Sequence, residues 1–112
     1  MILKYTYEDK FKNSELFLGV GYSDMSEPKN REYKRTPLVY TDFEKISHKK
    51  YANIKILTFG LSRSDWGILS HVIGFDGDEI IGFDPFTNGK FHITRDTMII
   101  TEEGNLEISF YE

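Results

Sequence analysis

The chain has 112 residues and no cysteine; 39% are hydrophobic, 29% charged and 15% aromatic, and the formal net charge is −4. A chain of this length, expected to form a single β-rich domain over residues 1–112, buries roughly 60–70% of its unfolded surface and needs no covalent staple. The aromatic content excludes wholesale disorder, the lack of cysteine excludes disulfides, thiolate metal sites and thiol nucleophiles, and the mild acidity has the wrong sign for generic nucleic-acid binding.

The first residues, Met1–Asn13, are interrupted by Lys4, Glu8, Asp9, Lys10 and Lys12. They lack the unbroken apolar stretch of roughly 7–15 residues that export requires. No apolar run approaches the ~18 residues of a membrane helix. The expected location is therefore the cytoplasm, with no membrane partner. Charge is unevenly distributed: residues 1–60 carry eleven Lys/Arg against eight Asp/Glu, and residues 61–112 carry three against ten. If the two halves occupy different faces, the molecule is electrostatically two-sided.

Period-two alternation dominates the chain. Ile2–Tyr7 reads as a first strand, Glu8–Ser14 as a charged turn, and Glu15–Tyr22 as a second strand. That second strand sets Leu16, Leu18, Val20 and Tyr22 on one face and Phe17, Gly19 and Gly21 on the other. Bare glycine positions of this kind clear a strand face for close packing by another segment. Ser23–Arg31, with Asp24, Ser26, Pro28 and Asn30, is a loop. Pro37–Tyr40 can form a short strand. Thr41-Asp42-Phe43-Glu44 has the capping-box pattern, and Phe43 and Ile46 follow at helical spacing, so one short helix is expected over about 42–51.

Ile54–Leu61 returns to strand, Ser62–Trp66 is a polar turn, and Gly67–Phe75 is a longer strand. The final third reads as hairpins. Asp76-Gly77 turns between Ile73–Phe75 and Glu79–Phe83, Asn88-Gly89 forms a second turn, and Glu102–Gly104 separates Thr97–Thr101 from Leu106–Tyr111. Ile73-Gly74-Phe75-Asp76 recurs as Ile81-Gly82-Phe83-Asp84, which two adjacent strands explain. The expected fold class is mainly β, a small antiparallel barrel or sandwich of seven to eight strands with one short helix.

Catalytic frames are poorly supported. His71, Glu79 and His92 would supply two histidines and a carboxylate to a metal, but strand phase sends the two imidazoles to opposite sides. Asp76, Asp78, Glu79 and Asp84 lack the spacing of a calcium loop and are explained by tight turns. Strand alternation also points Ser70 away from His71, so the pair is not expected to act together. No metal and no cofactor are expected, and an enzymatic role is the weaker expectation.

The most informative feature is basic. Lys29, Arg31, Lys34, Arg35, Lys45, Lys49 and Lys50 fall within 22 residues, with Tyr33, Tyr40 and Tyr51 interleaved. Tyr, Trp and Arg are the residue types that carry interface energy, and Trp66 in its polar turn is an expected aromatic anchor. The expected contact surface is Lys29, Arg31, Tyr33, Lys34, Arg35, Lys49, Lys50, Tyr51 and Trp66. The reading is a small macromolecule-binding protein of inhibitor, immunity or phage-accessory type, docking an acidic protein partner. The alternatives are a single-stranded nucleic-acid-binding barrel, or a small-ligand or metal site built on His71 and Glu79.

Overall fold

The computed structural model describes residues 1–86, 91–93, 98–101 and 106–111. The expected turns at Asn88-Gly89 and Glu102–Gly104 lie outside the described residues. Among the described residues, twelve strand segments follow the chain: β1 Ile2–Lys4, β2 Phe17–Gly21, β3 Thr36–Pro37, β4 Phe43–Ser47, β5 Lys50–Asn53, β6 Leu57–Leu61, β7 Gly67–Leu69, β8 His71–Asp76, β9 Glu79–Pro85, β10 Phe91–Ile93, β11 Met98–Thr101 and β12 Glu107–Tyr111. They build one sheet of order β1-β12-β5-β4 and a second of order β3-β2-β8-β9, with β10-β7 and β11-β6 as separate pairs. The fold is mainly β, as the alternation implies. The two four-stranded sheets give the arrangement of a sandwich, and the described strands do not close into one barrel.

Among the described residues all pairings are antiparallel except β1 with β12, which run parallel with Ile2 opposite Ser109 and Leu3 opposite Phe110. No hairpin joins these two strands, so nothing local dictates their relative direction. Both sheets mix strands from both halves of the chain, and the ion pairs Lys10–Asp76, Arg35–Asp78 and Lys50–Glu107 join a basic-half cation to an acidic-half carboxylate. The basic and acidic halves are thus interleaved within both sheets.

The short helix sits elsewhere than expected. Residues 42–51 form the β4–β5 hairpin, and the helix α1 is Glu8–Lys12, preceded by a 3-10 turn at Tyr5–Tyr7. Glu8 and Asp9 in the first turn and Lys10 and Lys12 in the last complement the helix dipole, and Phe11 is fully buried. The capping-box pattern at Thr41–Glu44 falls on a 3-10 turn, Tyr40–Asp42, that leads straight into β4. Phe43 and Ile46, three apart, then part company: Phe43 is buried and Ile46 is 43% exposed. The hairpin turn is made by Lys49 in the left-handed region at φ 55, without the Gly or Asn that marks such a turn in sequence. The expected strand Ile2–Tyr7 likewise ends at Lys4.

The core centres on Phe11. Its ring meets Phe43 at 5.2 Å and Tyr51 at 5.0 Å edge-on, and Phe110 at 5.6 Å. Leu3, Ile108 and Phe110 from the first sheet and Leu18 and Val20 from the second complete the same buried cluster. The repeated Ile-Gly-Phe-Asp explains how the sheets meet. In the β8–β9 hairpin Ile73 pairs with Phe83 and Gly74 with Gly82, so two glycines stand side by side. A Cβ at Gly82 would lie 2.6 Å from Leu3 Cδ2, and one at Gly74 would lie 2.8 Å from Met1 Sδ. The glycine pair is a bare strip on which β1 rests.

Candidate functional site

Alternation along β2 sends Leu18 and Val20 into the core, so Phe17, Gly19 and Gly21 face the other way, with Ile73 and Phe75 from β8. A bulge in β9 extends this outer face. Ile81 packs on the core and Gly82 lies against Leu3, so both point inward, leaving Ile80 and Phe83 outward although three apart. Ile80 pairs with Phe75 and Phe83 with Ile73, and Phe17, Ile80 and Phe83 are 38%, 44% and 55% exposed. Strand phase carries this signal, but it was legible only for Phe17; the bulge concealed Ile80 and Phe83.

The segment 22–35, without regular secondary structure, lies across the middle of this face. Gly19 and Gly21 admit it: a Cβ at Gly19 would lie 2.6 Å from the Tyr33 hydroxyl and 3.0 Å from Glu27 Oε2, and one at Gly21 would lie 3.1 Å from the Ser26 carbonyl. The expectation of a face cleared for another segment is met here.

Two carboxylates fasten the segment. Glu27 accepts from the Tyr33 hydroxyl at 2.5 Å and from Arg35 Nη2 at 2.7 Å. Burial pushes the Glu27 carboxyl up, and its bonds from Arg35 and Tyr33 outweigh that and hold it below the ordinary carboxylate range. Burial, then the neighbouring Glu27, raises the Tyr33 phenol. Glu32 Oε1 accepts from Trp66 Nε1 at 2.9 Å, from the Arg63 backbone N–H at 2.8 Å and from the Ser64 hydroxyl at 2.8 Å. The Trp66 bond leads this set of donors, which draws the carboxyl down to about 2. Asn30 Nδ2 donates to Ser64 Oγ at 2.7 Å, and the Tyr22 hydroxyl donates to the Trp66 carbonyl.

This network places the candidate residues. Lys29, Arg31 and Lys34 are exposed, with no ion-pair partner among the described residues. Arg35 is committed to the fold: Nε and Nη2 donate to Glu27, Nη1 donates to the Gly77 carbonyl at 2.8 Å and Asp78 at 3.2 Å, and the guanidinium lies 3.7 Å from the Phe75 ring centroid. Phe17, Lys34, Arg35, Gly77 and Asp78 line an open cleft of about 370 Å³. Tyr33 is half-buried, its ring edge-on to Trp66 at 5.4 Å.

Two members of the expected surface, Trp66 and Tyr51, are corrected. Trp66 and Tyr51 are each 1% exposed and belong to the core. The polar turn around Trp66 satisfies its indole through Glu32 and turns the ring inward. Tyr51 points inward from β5, with its hydroxyl 3.1 Å from Glu8, and burial followed by that carboxylate pushes its phenol up to about 12. Lys50 is ion-paired with Glu107 at 3.5 Å. Lys49 lies at the β4–β5 turn, its ammonium 5.8 Å from the Tyr5 ring centroid. The basic run contiguous in sequence is therefore divided between two sheets.

The histidine alternative does not assemble. His71 pairs with Pro85 and Glu79 with Asp76, at opposite ends of one hairpin, and His92 pairs with Ile68 in the separate β10–β7 pair. No group of three metal-ligating side chains forms among the described residues. One contact reverses the expectation from alternation: Ser70 Oγ lies 2.7 Å from His71 Nδ1. The expected strand Gly67–Phe75 breaks at Ser70 into β7 and β8, so the two side chains are no longer held on opposite faces. The imidazole also meets Phe83 edge-on at 5.7 Å.

No helix among the described residues is long and apolar enough to cross a membrane. Compared with known proteins, the chain matches no protein-family model, no curated protein and no solved structure.

Proposed function

We propose that the chain is a small cytoplasmic binding protein that docks an acidic protein partner on the outer face of the β3-β2-β8-β9 sheet. The observation that carries this reading is the contrast among its cations. Arg35 and Lys50 are paired within the fold, whereas Lys29, Arg31 and Lys34 stand exposed on a segment fastened at Glu27 and Glu32. A fastened segment loses little further conformational freedom on binding, which favours its use as a docking surface. Exposed Phe17 and Phe83 on the same face add apolar contact beside the cations. Division of the basic run between two sheets favours a protein partner over a nucleic-acid strand, which needs a continuous basic track.

The test is capture from source lysate at low and moderate salt by the native chain, by K29E/R31E/K34E and by K45E, whose charge lies on the other sheet. A stoichiometric acidic protein held by the native chain and K45E, but lost with the triple variant, is the expected result. Equal capture by the triple variant overturns the reading, as does recovery of nucleic acid alone that salt removes.

A further inference from the structure

Resting on that docking reading, we propose that the cleft between Phe17 and Lys34 receives one side-chain carboxylate of the partner, with an apolar side chain next to it in sequence lying on Phe17. The chemistry of the cleft selects this occupant. Its lining is mixed: Phe17 is apolar and 38% exposed, and Lys34 is an exposed cation without an ion-pair partner among the described residues. Arg35 is less available: Nε and Nη2 donate to Glu27 and Nη1 to Gly77 and Asp78, and its charge is matched by the Glu27 and Asp78 carboxylates. One monovalent cation is therefore available, and it matches one monovalent anion.

A phosphate dianion is poorly served. It is held best by a guanidinium fork or a nest of backbone N–H groups, and here the Nε–Nη2 fork of Arg35 is taken by Glu27. The Gly77 carbonyl points at Arg35, and the fully exposed Asp78 carboxylate stands on the rim. A second negative charge on the ligand would face Asp78, and the other cation of the cleft, Arg35, is already paired with Glu27 and Asp78. An isolated carboxylate without an apolar neighbour would leave Phe17 uncovered. An adjacent Leu-Glu pair matches both the apolar Phe17 and the cationic Lys34.

The experiment is an amide NMR titration of the native chain and K34Q with three Gly/Ser octapeptides carrying Leu-Glu, Gly-Glu or Leu-phosphoserine at the centre. The expected result is that Leu-Glu moves the amides of Phe17, Lys34, Gly77 and Asp78. Its affinity should fall about three- to fivefold in K34Q, as for one exposed ion pair. Gly-Glu and Leu-phosphoserine should both bind more weakly than Leu-Glu. Lys34 is exposed, and unchanged K34Q amides away from the cleft show the fold intact. Phosphoserine binding as tightly as Glu, shifts centred elsewhere, or no shift with Leu-Glu overturns the proposal. If Leu-Glu fails while K29E/R31E/K34E still loses the acidic partner, the cleft assignment falls and the docking face stands. If that triple variant keeps its partner, the docking face falls and takes with it the cleft's role in partner binding.

Discussion

The indole Nε1 of Trp66 donates to Glu32 Oε1 at 2.9 Å, and through this bond the segment 22–35 is tied to the buried side of the polar turn at 62–66. The carboxylate, not the carboxylic acid, accepts all three donors. Its folded value of about 2 lies below the ordinary value of 4.5, so the contribution is complete above about pH 5 and is lost as pH falls towards 2. We predict that the native chain's urea midpoint falls over that acid range more steeply than that of Glu32→Gln. The lone Trp66 supplies the fluorescence signal. Parallel pH profiles for the two proteins would refute the assignment.

Gly19 has no room for a side chain. A Cβ there meets the Tyr33 hydroxyl at 2.6 Å and Phe75 Cε2 at 2.8 Å, and both groups are themselves held, by Glu27 and by Arg35. Gly19→Ala should cost about 1–3 kcal/mol by overpacking and should displace Tyr33. Chemical denaturation measures the cost. A substitution that leaves both stability and the Tyr33 resonances unchanged would show that the segment does not lie on β2 in solution.

Phe11 is the single large apolar residue of α1 and is fully buried against rings from β4, β5 and β12. Phe11→Ala should destabilise the protein by about 3–5 kcal/mol. Ile46→Ala, at an exposed site in β4, should change stability by less than about 0.5 kcal/mol. Comparable losses from the two substitutions would contradict the placement of the helix over the first sheet.

Arg35 and Lys34 are sequence neighbours with different fates. Arg35→Lys forfeits the paired donation to Glu27 and the stacking on Phe75, and should cost about 1–2 kcal/mol of stability. Lys34→Gln should be neutral in stability and weaken binding. Charge reversal that includes Arg35 would thus confound folding with docking, which is why the capture experiment reverses Lys29, Arg31 and Lys34 instead. Equal melting temperatures for R35K and the native chain would show that Arg35 does not clamp the segment.

Strand content and the alternating inward residues of β2 and β12 were legible because each strand has one face in the core. The helix was not. Glu8–Lys12 carries one apolar residue and so shows no helical periodicity; beyond its charge order, what holds it is Phe11's meeting with Phe43, Tyr51 and Phe110, a contact between segments far apart in sequence. The hairpin at His48–Lys49 lacked a turn residue, so local helix signals stood unopposed until β4 paired with β5. In the candidate surface, exposure was legible for Lys29 and Arg31 within polar loop chemistry. Burial of Trp66 was hidden because Glu32, more than thirty residues earlier, satisfies its indole.

The parallel pairing of β1 with β12 sets an order of events. Its partners, Ile2 with Ser109 and Leu3 with Phe110, lie at opposite ends of the sequence, and β12 alone bridges β1 to β5. On the ribosome, β1, α1 and the β4–β5 hairpin are all synthesised long before the strand that joins them. Contacts of such high sequence separation slow folding, because the loop must close before the pairing rewards it. Without β12, β1 keeps its rest on Gly74 and Gly82 but has no strand joining it to β5. Completion of the first sheet therefore waits on a pairing that spans residues 2–109.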